Sequence, residues 1–131
     1  MRHPSSVLPE ETDELITRII GCALAVHRAL GPGFLESIYA AALAYELTAA
    51  GIPFERERPI VVSYKDLRIG GQRVDFIVAN AVIVEVKAVS RPEPVFKAKV
   101  ISYLRTTGLR AGLLINFNNQ LLKEGIDRIV V

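Results

Sequence analysis

The chain has a single cysteine, Cys22, among 131 residues. One thiol excludes an internal disulfide and any multi-cysteine zinc or iron–sulfur site. Long apolar runs are also missing. The longest uncharged one, residues 19–26, spans eight positions, where a membrane helix needs roughly 20. The N-terminal stretch carries Arg2, Glu10, Glu11, Asp13 and Glu14 and has no apolar segment of signal-peptide type. The expectation is therefore a cytoplasmic protein without a membrane partner. No G-x-S-x-G nucleophile elbow occurs, and Gly70-Gly71 lacks the lysine and the following helix of a phosphate loop.

Half of the residues are apolar and 23% are charged. That balance excludes disorder and predicts a filled core, and the length suits one domain. Residues 1–11, with Pro4 and Pro9, read as a flexible segment ahead of a single domain over residues 12–131. The net charge of +2 is small but unevenly spread, with −3 in residues 1–50 and +5 in residues 51–131. Eleven of the sixteen cations are arginine, whose planar fork suits phosphate. A basic C-terminal part fits a polyanionic partner; charge alone favours an ordinary arginine-rich surface.

The hydrophobic period is helical first and extended later. Thr12, followed by Asp13 and Glu14, reads as a helix cap. Ile16, Ile19, Ile20, Ala23, Val26 and Leu30 then recur at three- and four-residue spacing up to the break at Gly31-Pro32-Gly33. A second helix is expected over residues 34–50. Residues 54–64 read as extended, and residues 67–73 as a tight hairpin turning at Gly70-Gly71. Strands follow at 74–78 and 82–89, a third helix at 95–107 behind Pro92 and Pro94, and strands at 111–117 and 126–131. The order α-α-β-β-β-α-β-β predicts an α/β fold, a mixed sheet flanked by helices.

The chemistry concentrates in Val74-Asp75-Phe76 and Glu85-Val86-Lys87. On a strand, residues two apart share a face, so Glu85 and Lys87 point the same way. A three-residue turn at 79–81 would pair Val78 with Val82 and set Asp75 opposite Glu85, with Cβ atoms about 5 Å apart. Two carboxylates that close repel unless a cation sits between them. A hard divalent ion such as Mg²⁺ prefers such oxygen ligands, and Lys87 would orient or deprotonate the attacking water. The set is one for metal-assisted phosphodiester hydrolysis. The competing account is an ion pair across a hairpin, set against the cost of unpaired charge in otherwise apolar strands. Glu36 shares a helix face with Tyr39 and Leu43; it either points to the sheet as a third carboxylate or interacts with the helix dipole. His27 and Cys22 read as packed residues; Asn116, Asn118 and Asn119 read either as contacts to a backbone or, by default, as loop.

Gly33-Phe34-Leu35-Glu36-Ser37-Ile38-Tyr39 carries the G-x-x-E-x-x-Y pattern. His27-Arg28-Ala29-Leu30-Gly31-Pro32 precedes it, and Val74-Asp75-Phe76, Glu85-Val86-Lys87, Tyr103-Leu104 and Gly112-Leu113-Leu114-Ile115-Asn116-Phe117 follow. Over residues 12–131 the chain resembles the GxxExxY protein family, a compact branch of the PD-(D/E)XK nuclease-like superfamily. The resemblance implies that superfamily's α-β-β-β-α-β core, here with an extra N-terminal helix, and a Mg²⁺- or Mn²⁺-dependent nuclease acting on DNA or RNA. It implies Asp75, Glu85 and the main-chain carbonyl of Val86 as metal ligands, Lys87 as the catalytic lysine and Glu36 as the acid of the first core helix. Tyr39, Lys99 and Tyr103 become substrate-binding candidates. Lys99 stands where family members commonly carry a glutamine, four residues before the tyrosine of the third helix. It either replaces that side chain's hydrogen bond to a phosphate or repels the metal. The alternative function is a catalytically silent nuclease fold that binds nucleic acid or a protein partner. A third reading is a structural oligomerisation module, and the small chain leaves room for a homodimer.

Overall fold

A computed structural model of the chain describes residues 7–131. It contains helix α1 (Glu10–Leu30), α2 (Glu36–Ala49), strands β1 (Phe54–Tyr64), β2 (Leu67–Val78) and β3 (Val82–Lys87), helix α3 (Pro94–Thr107), β4 (Ala111–Asn116), a short 3₁₀ turn (Leu122–Gly125) and β5 (Ile126–Val130). The strands form one sheet in chain order. β3 and β4 run parallel, joined by the α3 crossover, and every other neighbouring pair is antiparallel.

The sheet is covered on both faces. Phe76, Val78, Val82, Val84, Val86, Leu113 and Ile115 pack with the buried stripes of α1 and α2. Ile77, Ile83, Leu114 and Ile129 alternate with them and pack under Val100, Tyr103 and Leu104 of α3. Burial from both sides explains why all six residues of β4 are buried and why that segment reads as continuously apolar. Arg18 donates to the carbonyl of Ala50 at 2.8 Å, tying α1 to the end of α2. Arg128 of β5 pairs with Asp13 of α1.

Four expectations change. α1 begins at Glu10 and not behind a Thr12 cap: the carbonyl of Pro9 accepts from Thr12 (3.0 Å) and Asp13 (3.1 Å), so Thr12 lies inside the first turn. A proline at the helix start supplies a suitable φ without wasting a donor. Of the segment expected to be flexible, residues 1–6 lie outside the described residues, Leu8 is buried in the core and Glu10 and Glu11 are helical. Gly70-Gly71 is not a turn. β2 runs through it, the reversal falls at Lys65-Asp66, and the register shifts between Ile60 and Val62 opposite the glycines. Gly71, at φ 113°, absorbs the extra residue of this bulge. β3 also ends at Lys87, two residues early; the side-chain amide of Asn116, and no strand ladder, binds the backbone of Val89 through N–H (3.0 Å) and C=O (2.9 Å).

α3 sits directly on β4 at Gly112, where an added Cβ would lie 2.7 Å from Val100 Cγ1 and 3.4 Å from Leu104 Cδ1. Gly112→Ala should therefore lift α3 and destabilise the protein by about 1–3 kcal/mol, the usual cost of overpacking a core. Denaturant unfolding checks this; an unchanged midpoint would show that the helix yields without cost.

Candidate metal centre

The β2–β3 ladder runs through Val78↔Val82, Ile77↔Ile83 and Phe76↔Val84 and stops there. Past that point β2 stays with β1, and β3 stays with β4 as far as Lys87↔Asn116. The strands fork between Asp75 and Glu85. A fork strands backbone donors, and a buried unpaired N–H is costly. The two carboxylates meet that need. Glu85 Oε1 accepts from the N–H of Asp75 at 2.8 Å, and Asp75 Oδ2 accepts from the N–H of Val86 at 2.8 Å. The predicted opposition of Asp75 and Glu85 is thus present, with side chains bonding in place of the ladder.

In a strand the N–H and C=O of one residue lie on the same edge. Because the N–H of Val86 goes to Asp75, its carbonyl also lies on the β2 side.

Glu85 is 8% exposed. Burial, and then repulsion from Asp75, raise its carboxyl to about 8, with opposing contributions from its hydrogen bond to the Asp75 backbone and from Lys87. This is the signature of a like-charge pair that holds either a proton or a cation. From α3, Tyr103 faces the pair: burial raises its phenol, and Glu85 and Asp75 raise it further. From α2, Glu36 forms, with Ser37, Ala40, Arg56, Glu57 and Asp75, the wall of a cavity of about 280 Å³. Although Glu36 is an exposed residue, its carboxyl is raised by lost hydration, lowered by Lys87 and raised by Asp75.

The structure thus groups Asp75, Glu85, Val86 and Lys87, with Glu36 and Tyr103 around them. It does not make Glu36 a third ligand: among the described residues no group of three or more His, Cys, Asp or Glu side chains is placed to hold a metal. Lys99 is exposed on α3 and contributes to none of the shifts at Glu36, Glu85 or Tyr103. Tyr39 lies away from the site. It is fully buried and stacked on Phe117 with ring centroids 4.7 Å apart. Its hydroxyl donates to the carbonyl of Gly31 and accepts from the N–H of Phe34 at 3.1 Å. That geometry locks the α1–α2 loop and leaves nothing for a substrate.

Two residues do more than the sequence indicates. Asn116 is not loop: it is 5% exposed at the end of β4 beside Lys87 and holds Val89. Phe96 lies under Lys87, with Nζ 4.6 Å from the ring centroid. The signal available for Phe96 was its seven-residue spacing from Tyr103, which sets both on one side of a helix. His27 packs half-buried, as expected, its Nε2 2.7 Å from the carbonyl of Asn119.

The donor set fits a hard divalent ion. Two buried-edge carboxylates that repel each other, beside a main-chain carbonyl, are oxygen ligands of the type Mg²⁺ takes, and this ion completes its shell with water. The same geometry sets a pH dependence. In the metal-free protein folded Glu85 keeps its proton to about pH 8, whereas the unfolded chain releases it near 4.5. The folded state binds more protons in that window, so this group's contribution to stability is full below it and falls as pH rises through it. Thermal unfolding across the window should show that decline in the wild type and lose it in Glu85→Gln, which cannot ionise. Added Mg²⁺ should stabilise most at the alkaline end. Equal slopes in both proteins would contradict the assignment.

A family model described as the PD-(D/E)XK nuclease superfamily matches residues 13–129. No curated protein and no solved structure matches the chain. The matched span runs from the first turns of α1 almost to the end of β5 and carries the forked carboxylates near its middle, and the α/β core agrees with it. The chain belongs to the PD-(D/E)XK nuclease superfamily.

Proposed function

We propose that this chain is a Mg²⁺- or Mn²⁺-dependent nuclease of the GxxExxY type that hydrolyses phosphodiester bonds of nucleic acid. The observation that carries the reading is the pair Asp75–Glu85 at the fork of β2 and β3, with Lys87 one step along the same strand face. Asp75, Glu85 and the carbonyl of Val86 would hold the ion, which supplies charge neutralisation and a nucleophile at neutral pH. Lys87 would orient the attacking water and bear against a phosphate oxygen. Glu36, which lines a cavity with Asp75 and feels the charges of both Lys87 and Asp75, would be the acid supplied by the first core helix. Tyr103 would contact the substrate from α3. A catalytically silent module that binds nucleic acid is favoured by one observation, the lack of a third acidic ligand among the described residues.

Metal-dependent cleavage separates the two. Asp75→Asn keeps an acceptor for the Val86 N–H, so the fork should persist while the charge of the ligand is lost. Cleavage of single- and double-stranded DNA and RNA in Mg²⁺ or Mn²⁺ should fall by at least the roughly 10–100-fold that loss of an outer-shell partner costs, with thermal stability kept. Equal cleavage by mutant and wild type would refute the reading, and no cleavage by either would favour the silent module.

Lys99 belongs to the substrate side of this proposal. Its exposure, and its lack of influence on the buried carboxyls, support a phosphate contact and not occupation of the metal's place. Lys99→Ala should weaken nucleic-acid binding and lower the slope of log K against log salt by about one. An unchanged slope would leave Lys99 a solvated lysine.

A further inference from the structure

The ammonium of Lys87 has carboxylates at hand and pairs with none of them. Lys87 acts electrostatically on both Glu85 and Glu36, yet among the described residues it makes no ion pair. Its Nζ rests 4.6 Å from the centroid of the Phe96 ring, within the range of a cation–π contact. That ring is fixed. Phe96 stands in the first turn of α3, behind Pro94, its N–H donates to the carbonyl of Glu93 at 3.0 Å, and the half-buried side chain packs on the α3 face of the core. The backbone under Lys87 is fixed as well, its carbonyl accepting from the N–H of Phe117 at 2.8 Å.

A lysine two positions from Glu85 on one strand face competes for the same oxygens as a divalent ion. If it swung onto Asp75 or Glu85, it would neutralise the pair and fill the space of the cation. We propose that Phe96 is a positioning residue: its ring face holds the Lys87 ammonium off the carboxylate pair and so keeps the pair open to a divalent cation. The role rests on the metal-centre reading above. It places an aromatic residue of α3, with no ligand atom of its own, among the determinants of metal affinity.

The test is Mn²⁺ binding measured by calorimetry on the intact protein. Phe96→Leu should weaken Mn²⁺ affinity about three- to tenfold, the ratio that a cation–π contact of ordinary strength corresponds to. Phe96→Tyr, which keeps the ring, should bind as the wild type does. Phe96→Leu combined with Lys87→Met should regain the affinity, since the competing ammonium is gone. The Lys87 ε-methylene protons should be shifted upfield by the ring in wild type and Phe96→Tyr and not in Phe96→Leu, a readout independent of metal. Equal Mn²⁺ affinity in wild type and Phe96→Leu would overturn the inference. So would a loss that persists in the double variant, which would mark Phe96 as a packing residue only. Failure of the wild type to bind Mn²⁺ at all is a separate outcome, and it would overturn the metal-centre reading along with this role.

Discussion

Where β2 leaves β3, the N–H of Asp75 donates to the Glu85 carboxylate and the N–H of Val86 to the Asp75 carboxylate. This exchange shapes the rest of the site. It closes the fork without leaving a buried donor orphaned, and it ties both acidic side chains to the backbone. It also forces two like charges together at low exposure. The resulting strain is electrostatic and has two remedies, a shared proton or a bound cation. A helix or sheet that merely needed an end cap would not use two acids facing each other. The arrangement is costly as structure and economical as a cation site.

The surroundings keep that geometry from relaxing. Below the fork, the apolar pairs Phe76↔Val84, Ile77↔Ile83 and Val78↔Val82 are buried on both faces, so the strands cannot slide without moving the whole sheet. Above it, α3 is seated against Gly112 through Val100 and Leu104. That seat brings Tyr103 toward the carboxylates and Phe96 under Lys87. On the opposite layer, the loop between α1 and α2 is locked by Tyr39, which sets the first turn of α2 and hence Glu36. The G-x-x-E-x-x-Y segment therefore divides its work: the tyrosine fixes a loop, and the glutamate that the loop positions lines the cavity shared with Asp75.

Much of this could be read from the sequence, for local reasons. A three-residue turn between Val78 and Val82 dictates the register, and register alone sets Asp75 opposite Glu85. Helix ends at glycine and the continuous apolar run of β4 are equally local. What escaped depends on contacts across the fold. Gly70-Gly71 suits a tight turn and a β-bulge alike, and only pairing with Ile60 and Val62 decides between them. The hydroxyl of Tyr39 suggests a substrate contact until the carbonyl of Gly31 is seen to accept from it. Asn116 looks like loop composition, but its amide replaces a strand ladder at Val89. Phe96 meets Lys87 only because α3 folds back on the sheet at one glycine, and no periodicity encodes that meeting.

The proposed divalent-cation site lies at the fork of β2 and β3. Crystals soaked in Mn²⁺ and measured at a wavelength where manganese scatters anomalously test it without reference to any substrate. A bound ion should give an anomalous peak between the Asp75 and Glu85 carboxylates, within coordinating distance of the Val86 carbonyl. An empty fork, with the Lys87 ammonium drawn onto the carboxylates or with manganese bound only elsewhere, would contradict it.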